Sequence, residues 1–545
     1  MNSGISQTAT LPRLIVDAPC GSVSGVWDEQ AGLGHFFGIP YAEPPIGALR
    51  FKPTVPKRRW TATFDASRFG PASAQVFDRL EGGIEEFEDE PKDGAVWSVG
   101  SEDSLTLNVW TPAADDGRRP VLVWIHGGAN YLESSRQPIY HGDQLAQRGD
   151  VVFVSLNYRL GIFGFFDVSV LGGEAYRGSH SNGLSDQLMA VQWVKDNIAA
   201  FGGDPGNITL MGESAGSMDI SWLLASGGLK DLVKRVVMMS NVAGPVGFGR
   251  DRERARHSEA EGQHIARAFL ERIGFSSISA LLTASTEQIL ARIAEKANWS
   301  DILFDLDSIF YPCTGPGFAA RDPFDAVRAG AAAGIDVMIG WTNYEMGLWL
   351  QWDDTLDRHP PVWAAERIGY FPDSHRKELA ARYTEWFAHD REGTEGMHLI
   401  GDGHSVMPII WFAEEQTKHN PNLWMYRFDW QVDERRRAMH AADLCFLFGH
   451  QETPAAQSQI GAPRNDADRT DRARLADAMM ASVLAFARDG DPNTHRNPDL
   501  PHWPRYDTAQ RGVMSFDIGC SILQDPGAER RRWWTETVYR PVMGD

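Results

Sequence analysis

"TLMGESAGSM" (209–218) holds the pattern G-x-S-x-G, as Gly212-Glu213-Ser214-Ala215-Gly216. In a chain with 53 glycines among 545 residues, that pattern alone is weak evidence for a catalytic serine. Its flanks decide the reading. The apolar run 208–211 reads as a buried strand, and "MDISWLLAS" (218–226) reads as a helix that follows at once. A strand, a tight turn and a helix are what a nucleophile elbow needs. The serine occupies the strained turn, and its small neighbours let strand and helix approach. The helix N-terminus also points backbone N–H groups toward developing negative charge. The pattern occurs nowhere else in the chain, so Ser214 is the expected nucleophile.

Working outward, short apolar runs recur on both sides of this elbow. "PVLVWIHGG" (120–128), "DVVFVSLNYR" (150–159), "RVVMMSN" (235–241) and "IDVMIGWTN" (335–343) read as strands covered on both faces, with "PNLWMYRFDW" (421–430) as a further candidate. Between two of them, "SDQLMAVQWVKDNIAAFGG" (185–203) reads as an amphipathic helix. Ser185 is its expected cap, Leu188, Val191, Val194 and Ile198 form its apolar face, and Gly202 and Gly203 stop it. "DPGN" (204–207) then turns the chain into the next strand. The alternation predicts an α/β fold with one large, mostly parallel sheet. Segments 245–330 and 346–420 read as helical insertions that cover it.

Composition narrows the function. The chain is 43% hydrophobic and 23% charged, the balance of a soluble globular protein, and its apolar runs are too short to span a bilayer. The first twenty residues lack a basic region followed by a long apolar one, which favours the cytoplasm. A net charge of −21 argues against a nucleic-acid partner, because like charges repel over the whole surface. The acidic cluster "EGGIEEFEDEPKD" (81–93) reads first as a solvated loop and second as an attractor of cationic substrate. Cys20, Cys313, Cys445 and Cys520 are scattered, so reduced thiols are expected rather than a metal site. "GLGHFFG" (32–38) leads into "IPYAEPP" rather than a helix, which disfavours nucleotide binding.

A serine hydroxyl needs a base, and 16 histidines leave composition unable to choose one. An oxyanion site is easier to find. "HGGAN" (126–130) follows a strong strand about 85 residues before the elbow, where hydrolase chain order expects an oxyanion loop.

Taken together, "FFGIPYAEPPIGALRF" (36–51), "EDSLTLNVWTP" (102–112), "NYRLGIFGF" (157–165) and "GLSDQLMAVQWVKDNIAAFGGDPGNITLMGESAGS" (183–217) resemble the type-B carboxylesterase family, which includes the cholinesterases. The likeness begins near "GSVSGV" (21–26), covers nearly the whole chain and continues through "RDGDPN" (488–493) and "WPRY" (503–506). It implies an α/β-hydrolase fold in a single domain, residues 1–545, and a carboxylic ester hydrolase that needs no cofactor and no metal. It also supplies the missing partners. "IGWTNYEMG" (339–347) resembles the segment with the catalytic glutamate, Glu345, although Met346 stands where the family usually has glycine. "RAMHAADLCFLFG" (437–449) resembles the segment with the catalytic histidine, His440. Asp443, Glu213 and Asp186 are expected to support the site or the fold. Gly128, Ala129 and Ala215 are the expected oxyanion donors.

Departures from the family pattern are also informative. Secreted members usually carry an early disulfide, but here "GPASAQ" (70–75) and "EDSL" (102–105) place Ser73 and Ser104 at both cysteine positions. Ala129 replaces the third glycine of the oxyanion loop, which is tolerable if its φ is ordinary. Asn130 stands where an aromatic residue is common and is expected to alter the acyl pocket. No counterpart of the tryptophan that binds quaternary ammonium is clear, since Trp97 does not align with it, so a choline-ester specialist is not expected. Trp222, Phe310 and Trp349, from "WLLAS" (222–226), "DSIFYPCTGPGF" (307–318) and "LWLQW" (348–352), are candidate pocket walls, with core packing as the alternative for each. The expected substrate is a small molecule, a medium-sized, apolar ester, with water as the second reactant and no nucleic-acid or membrane partner. An amidase or carbamate hydrolase would use the same triad, and an inactive adhesion protein of this fold is the distant alternative.

Overall fold

The computed structural model describes residues 12–77, 97–244, 258–296, 309–315, 318–367, 373–391, 393–493 and 500–543. The acidic cluster at 81–93 lies outside them. Four antiparallel strands open the sheet: β1 (Arg13–Ala18), β2 (Gly21–Asp28), β3 (Leu33–Pro40) and, after the short β4 (Phe64–Asp65), β5 (Gln75–Phe77) and β6 (Trp97–Val99), β7 (Thr106–Thr111). The parallel centre follows: β8 (Arg119–Ile125), β9 (Val152–Leu156), β10 (Gly203–Glu213), β11 (Arg235–Met239), β12 (Asp336–Thr342), β13 (Leu423–Phe428) and β14 (Gly512–Phe516). β15 (Ser521–Gln524) closes the far edge antiparallel to β14. The spatial order is β1-β2-β3-β7-β9-β8-β10-β11-β12-β13-β14-β15; β4 joins β2, and β5 and β6 pair separately.

Every central run expected from the sequence forms a strand here, and their near-continuous apolar character has a visible cause. Along β8, Val121, Val123 and Ile125 enter one apolar cluster while Leu122 and Trp124 enter another. A strand sandwiched between two cores has no face left for polar residues. The antiparallel strands β1–β3 are less legible because glycine, serine and half-exposed positions interrupt their pattern. "GLGHFFG" contributes to β3 and not to a phosphate-binding turn.

Two local expectations change. The helix read at 185–203 runs Asn182–Asn197 and tightens into a 3-10 turn over Ile198–Phe201, so Ser185 is internal and caps nothing. Val191, Val194 and Ile198 are buried as expected, and Gly202 ends the turn at φ 85°. "DPGN" (204–207) is a register break within β10, between Gly203 and Ile208. In the inserted regions lie helices Glu259–Arg272, Ile278–Thr283, Thr286–Lys296 and Pro323–Arg328, then Pro361–Arg367, Asp373–Trp386, Thr394–Gly401 and Met407–Thr417. No helix among the described residues is long and apolar enough to cross a membrane.

Candidate active site

Parallel pairing gathers the site at the carboxyl edge of the sheet, where open α/β sheets bind ligands. Ile125, the last residue of β8, is in register with Gly212 near the end of β10, so the loop after β8 emerges beside the elbow. Glu345 lies three residues beyond β12, and His440 follows β13, the next strand along the same edge.

The elbow is as tight as its glycines predict. Ser214 has φ 54° and ψ −122°, a conformation that costs a non-glycine residue about 1–3 kcal/mol. A Cβ on Gly212 would stand 2.6 Å from the Gly216 carbonyl carbon, and one on Gly216 would stand 2.3 Å from the Ile125 carbonyl oxygen. Both obstacles are backbone, so neither can yield. The helix Ala215–Ala225 begins immediately after Ser214, which leaves the Ala215 N–H at its N-terminus without an acceptor inside the helix.

The oxyanion loop corrects one expectation. Ala129 does not keep an ordinary φ; Gly128, Ala129 and Asn130 are successively left-handed at φ 87°, 49° and 62°. For alanine that conformation costs about 1–2 kcal/mol. The turn folds back through the N–H groups of Tyr131 and Leu132, which donate to the Gly128 carbonyl at 3.0 and 2.9 Å. Residues at the start of such a turn have N–H groups that the turn itself does not use. The loop also abuts the elbow, because a Cβ on Gly127 would stand 3.2 Å from Ser214 Cβ.

Glu345 and His440 meet directly. His440 Nδ1 lies 2.5 Å from Glu345 Oε2, and the His440 backbone N–H donates to the Glu345 carbonyl at 3.2 Å. The second Glu345 oxygen accepts the Thr342 N–H at 2.8 Å, so the carboxylate is held at both ends. The other imidazole nitrogen, Nε2, stands 3.0 Å from Oε1 of Glu213, the residue before Ser214. That approach is a close charge contact rather than an aligned hydrogen bond, since Glu213 Oε1 has no hydrogen-bond partner among the described residues. Trp349 tilts over the imidazole with ring centroids 5.2 Å apart.

Buried carboxyls dominate the electrostatics. Burial pushes Glu213 up from the ordinary carboxylate range, against the pull of His440. Burial pushes His440 down, but the charges of Glu213 and then Glu345 outweigh it and leave the imidazole above its usual value. These protons are shared, because protonating Glu213 removes a main attraction that holds a proton on His440. Asp443 is raised to about 7, first by burial and then by Glu345, and it accepts the Tyr426 hydroxyl at 3.1 Å. Asp186 has a structural place, bonded by the Arg159 guanidinium at 2.7 and 2.8 Å in the core.

The expected pocket residues divide. Trp349 reaches the site. Trp222 has no exposed surface and Phe310 is 2% exposed, both packed in the core. Phe310 meets Tyr131, Phe166 and Phe269 in an aromatic cluster. The buried Asn130 side chain donates from Nδ2 to Asp219 Oδ1 at 3.2 Å. Asp219 was not singled out from sequence. Its signal was a lone acid in the otherwise apolar "MDISWLLAS".

A family model described as "Carboxylesterase family" matches residues 12–534. Para-nitrobenzyl esterase of Bacillus subtilis (strain 168) is 34% identical over 95% of this chain and 98% of its own length. Phenmedipham hydrolase of Pseudarthrobacter oxydans is 31% identical over 96% and 97%. The crystal structure of a Geobacillus stearothermophilus carboxylesterase at pH 6.2 superposes with a TM-score of 0.79 at 29% identity, covering 95% of this chain and 99% of that one.

Proposed function

The chain belongs to the carboxylesterase family of the α/β-hydrolase fold, and from that premise we propose that Ser214, His440 and Glu345 form its catalytic triad. The observation that carries the proposal is the buried His440 imidazole, whose Nδ1 is held by Glu345 at 2.5 Å and whose Nε2 stands 3.0 Å from Glu213, the residue just before the strained Ser214 turn. In this reading His440 Nε2 takes the Ser214 proton as Oγ attacks the ester carbonyl. Glu345 fixes the tautomer and stabilises the imidazolium. The N–H groups of Gly128, Ala129 and Ala215 receive the oxyanion, each worth about 3 kcal/mol. His440 returns its proton to the departing alcohol, and water then frees the acid from the acyl-enzyme by the same route.

The reading takes the chain as one hydrolase unit that works in a reducing compartment. All four cysteines are unpaired, which supports that setting. The test is direct. Ser214→Ala abolishes turnover of a p-nitrophenyl ester and covalent labelling by an organophosphonate, and His440→Ala abolishes turnover. Normal turnover by the serine variant overturns the mechanism; normal turnover by the histidine variant means that another base acts.

A further inference from the structure

We infer that Asp219 is a positioning residue for this reaction, its buried carboxylate holding the oxyanion loop against the nucleophile helix through the Asn130 amide. The inference rests on the reading of Ser214 and its oxyanion donors given above.

The three proposed donors belong to two separate elements. Gly128 and Ala129 lie on the loop after β8, while Ala215 opens the helix after β10. Converging on one oxygen requires a fixed separation between loop and helix. The loop is also left-handed at three successive residues, a conformation that persists only where surrounding contacts over-determine it. Backbone ties exist within the loop, and Gly161 N–H donates to the Asn130 carbonyl at 2.7 Å. The tie from loop to nucleophile helix is a side-chain one. Asn130 Nδ2 donates to Asp219 Oδ1 at 3.2 Å, and Asp219 lies on the helix that Ser214 opens.

The second oxygen of Asp219 accepts from Gln187 Nε2 at 2.5 Å. Gln187 belongs to the helix Asn182–Asn197, so one carboxylate joins the loop and two helices. Asp219, Asn130 and Gln187 are each fully buried. Among the described residues no cationic side chain pairs with Asp219. A carboxyl buried with only two amide donors is a costly way to fill space, and an apolar side chain would pack there at less cost. What an apolar side chain cannot do is fix the Asn130 amide. Asn130 Oδ1 has no partner among the described residues, so the side chain is oriented through Nδ2 and Asp219. Burial raises Asp219 to about 7, against its bonds from Gln187 and Asn130, as expected of a carboxyl held without a cation.

The experiment compares Asp219→Ala, Asn130→Gly and their double variant. Asn130→Gly removes the tie while keeping a residue at ease with positive φ. Each is assayed for kcat and KM on a p-nitrophenyl ester, and for inhibition by a trifluoromethyl ketone, whose adduct with a serine places an oxyanion in the site. The expected result is a kcat about 100-fold lower with little change in KM, and ketone binding weakened by a similar factor. The double variant is no worse than either single one, because both remove the same link. Asp219→Asn retains most activity, since its carbonyl still accepts from Asn130 and its amide donates to a flipped Gln187. If Asp219→Ala does not fold, Asn130→Gly and Asp219→Asn carry the test. Wild-type kcat and ketone affinity in Asn130→Gly overturn the inference, as do losses that simply add. Failure of the triad reading is separate: it shows as normal turnover in Ser214→Ala or as no ketone inhibition of the unaltered enzyme.

Discussion

The hydroxyls of Ser73 and Ser104 meet 2.8 Å apart in the buried core, at the two positions where the family resemblance places the cysteines of secreted members. Ser73 also donates to the Tyr158 carbonyl at 2.6 Å. A hydrogen bond thus occupies the position of a crosslink. Restoring the crosslink with Ser73→Cys and Ser104→Cys is expected to close a loop spanning a sequence separation of 31. Oxidation of that double variant should add about 3–4 kcal/mol of stability. Thermal melts with and without reductant check it, and equal midpoints would count against the geometry.

Gly216→Ala tests the elbow. The added methyl would lie 2.3 Å from the Ile125 carbonyl and 2.7 Å from that of His126, so the helix must move away from β8. The expected outcome is a loss of about 1–3 kcal/mol in stability and about 100-fold in kcat. Denaturant unfolding and esterase kinetics measure the two effects, and an unimpaired variant would mean that the elbow is looser than described.

Ala129→Gly tests strain in the oxyanion loop. Glycine at φ 49° removes the left-handed penalty but adds freedom to the unfolded chain. The net expectation is a gain of up to about 1 kcal/mol, with the ester activity retained. A destabilised Ala129→Gly, read by the denaturant midpoint, would show that the methyl makes contacts worth more than the strain.

The pH profile should report the carboxyls around His440. The reaction needs a neutral imidazole, and Glu213 and Glu345 hold the proton on it above the ordinary 6.5. Activity is therefore lost as pH falls through a value above 6.5, and kcat/KM against pH locates that limb. Glu213→Gln removes one of the two main upward influences, so the limb moves to lower pH. A limb that stays in place would remove Glu213 from the titrating unit.

Local sequence determined the parts of this protein that local chemistry controls. Continuous apolar runs marked β8 through β13 because a strand between two cores tolerates few polar residues. Gly212 and Gly216 marked the elbow because backbone approaches there leave no room for a Cβ. Resemblance to a family supplied Glu345 and His440, which nothing within 90 residues of Ser214 could identify. Tertiary structure alone decided the rest. Ala129 is left-handed and Asn130 points inward because of contacts with residues as far along the chain as Asp219, at a separation of 89. Trp222 and Phe310 are buried because distant segments cover them. The charge state of His440 likewise depends on Glu213 and Glu345, which the chain keeps far apart and the sheet edge brings together. Apolar patterning and the glycine spacing of the elbow are properties of neighbours in sequence, whereas side-chain direction and proton affinity are properties of neighbours in space.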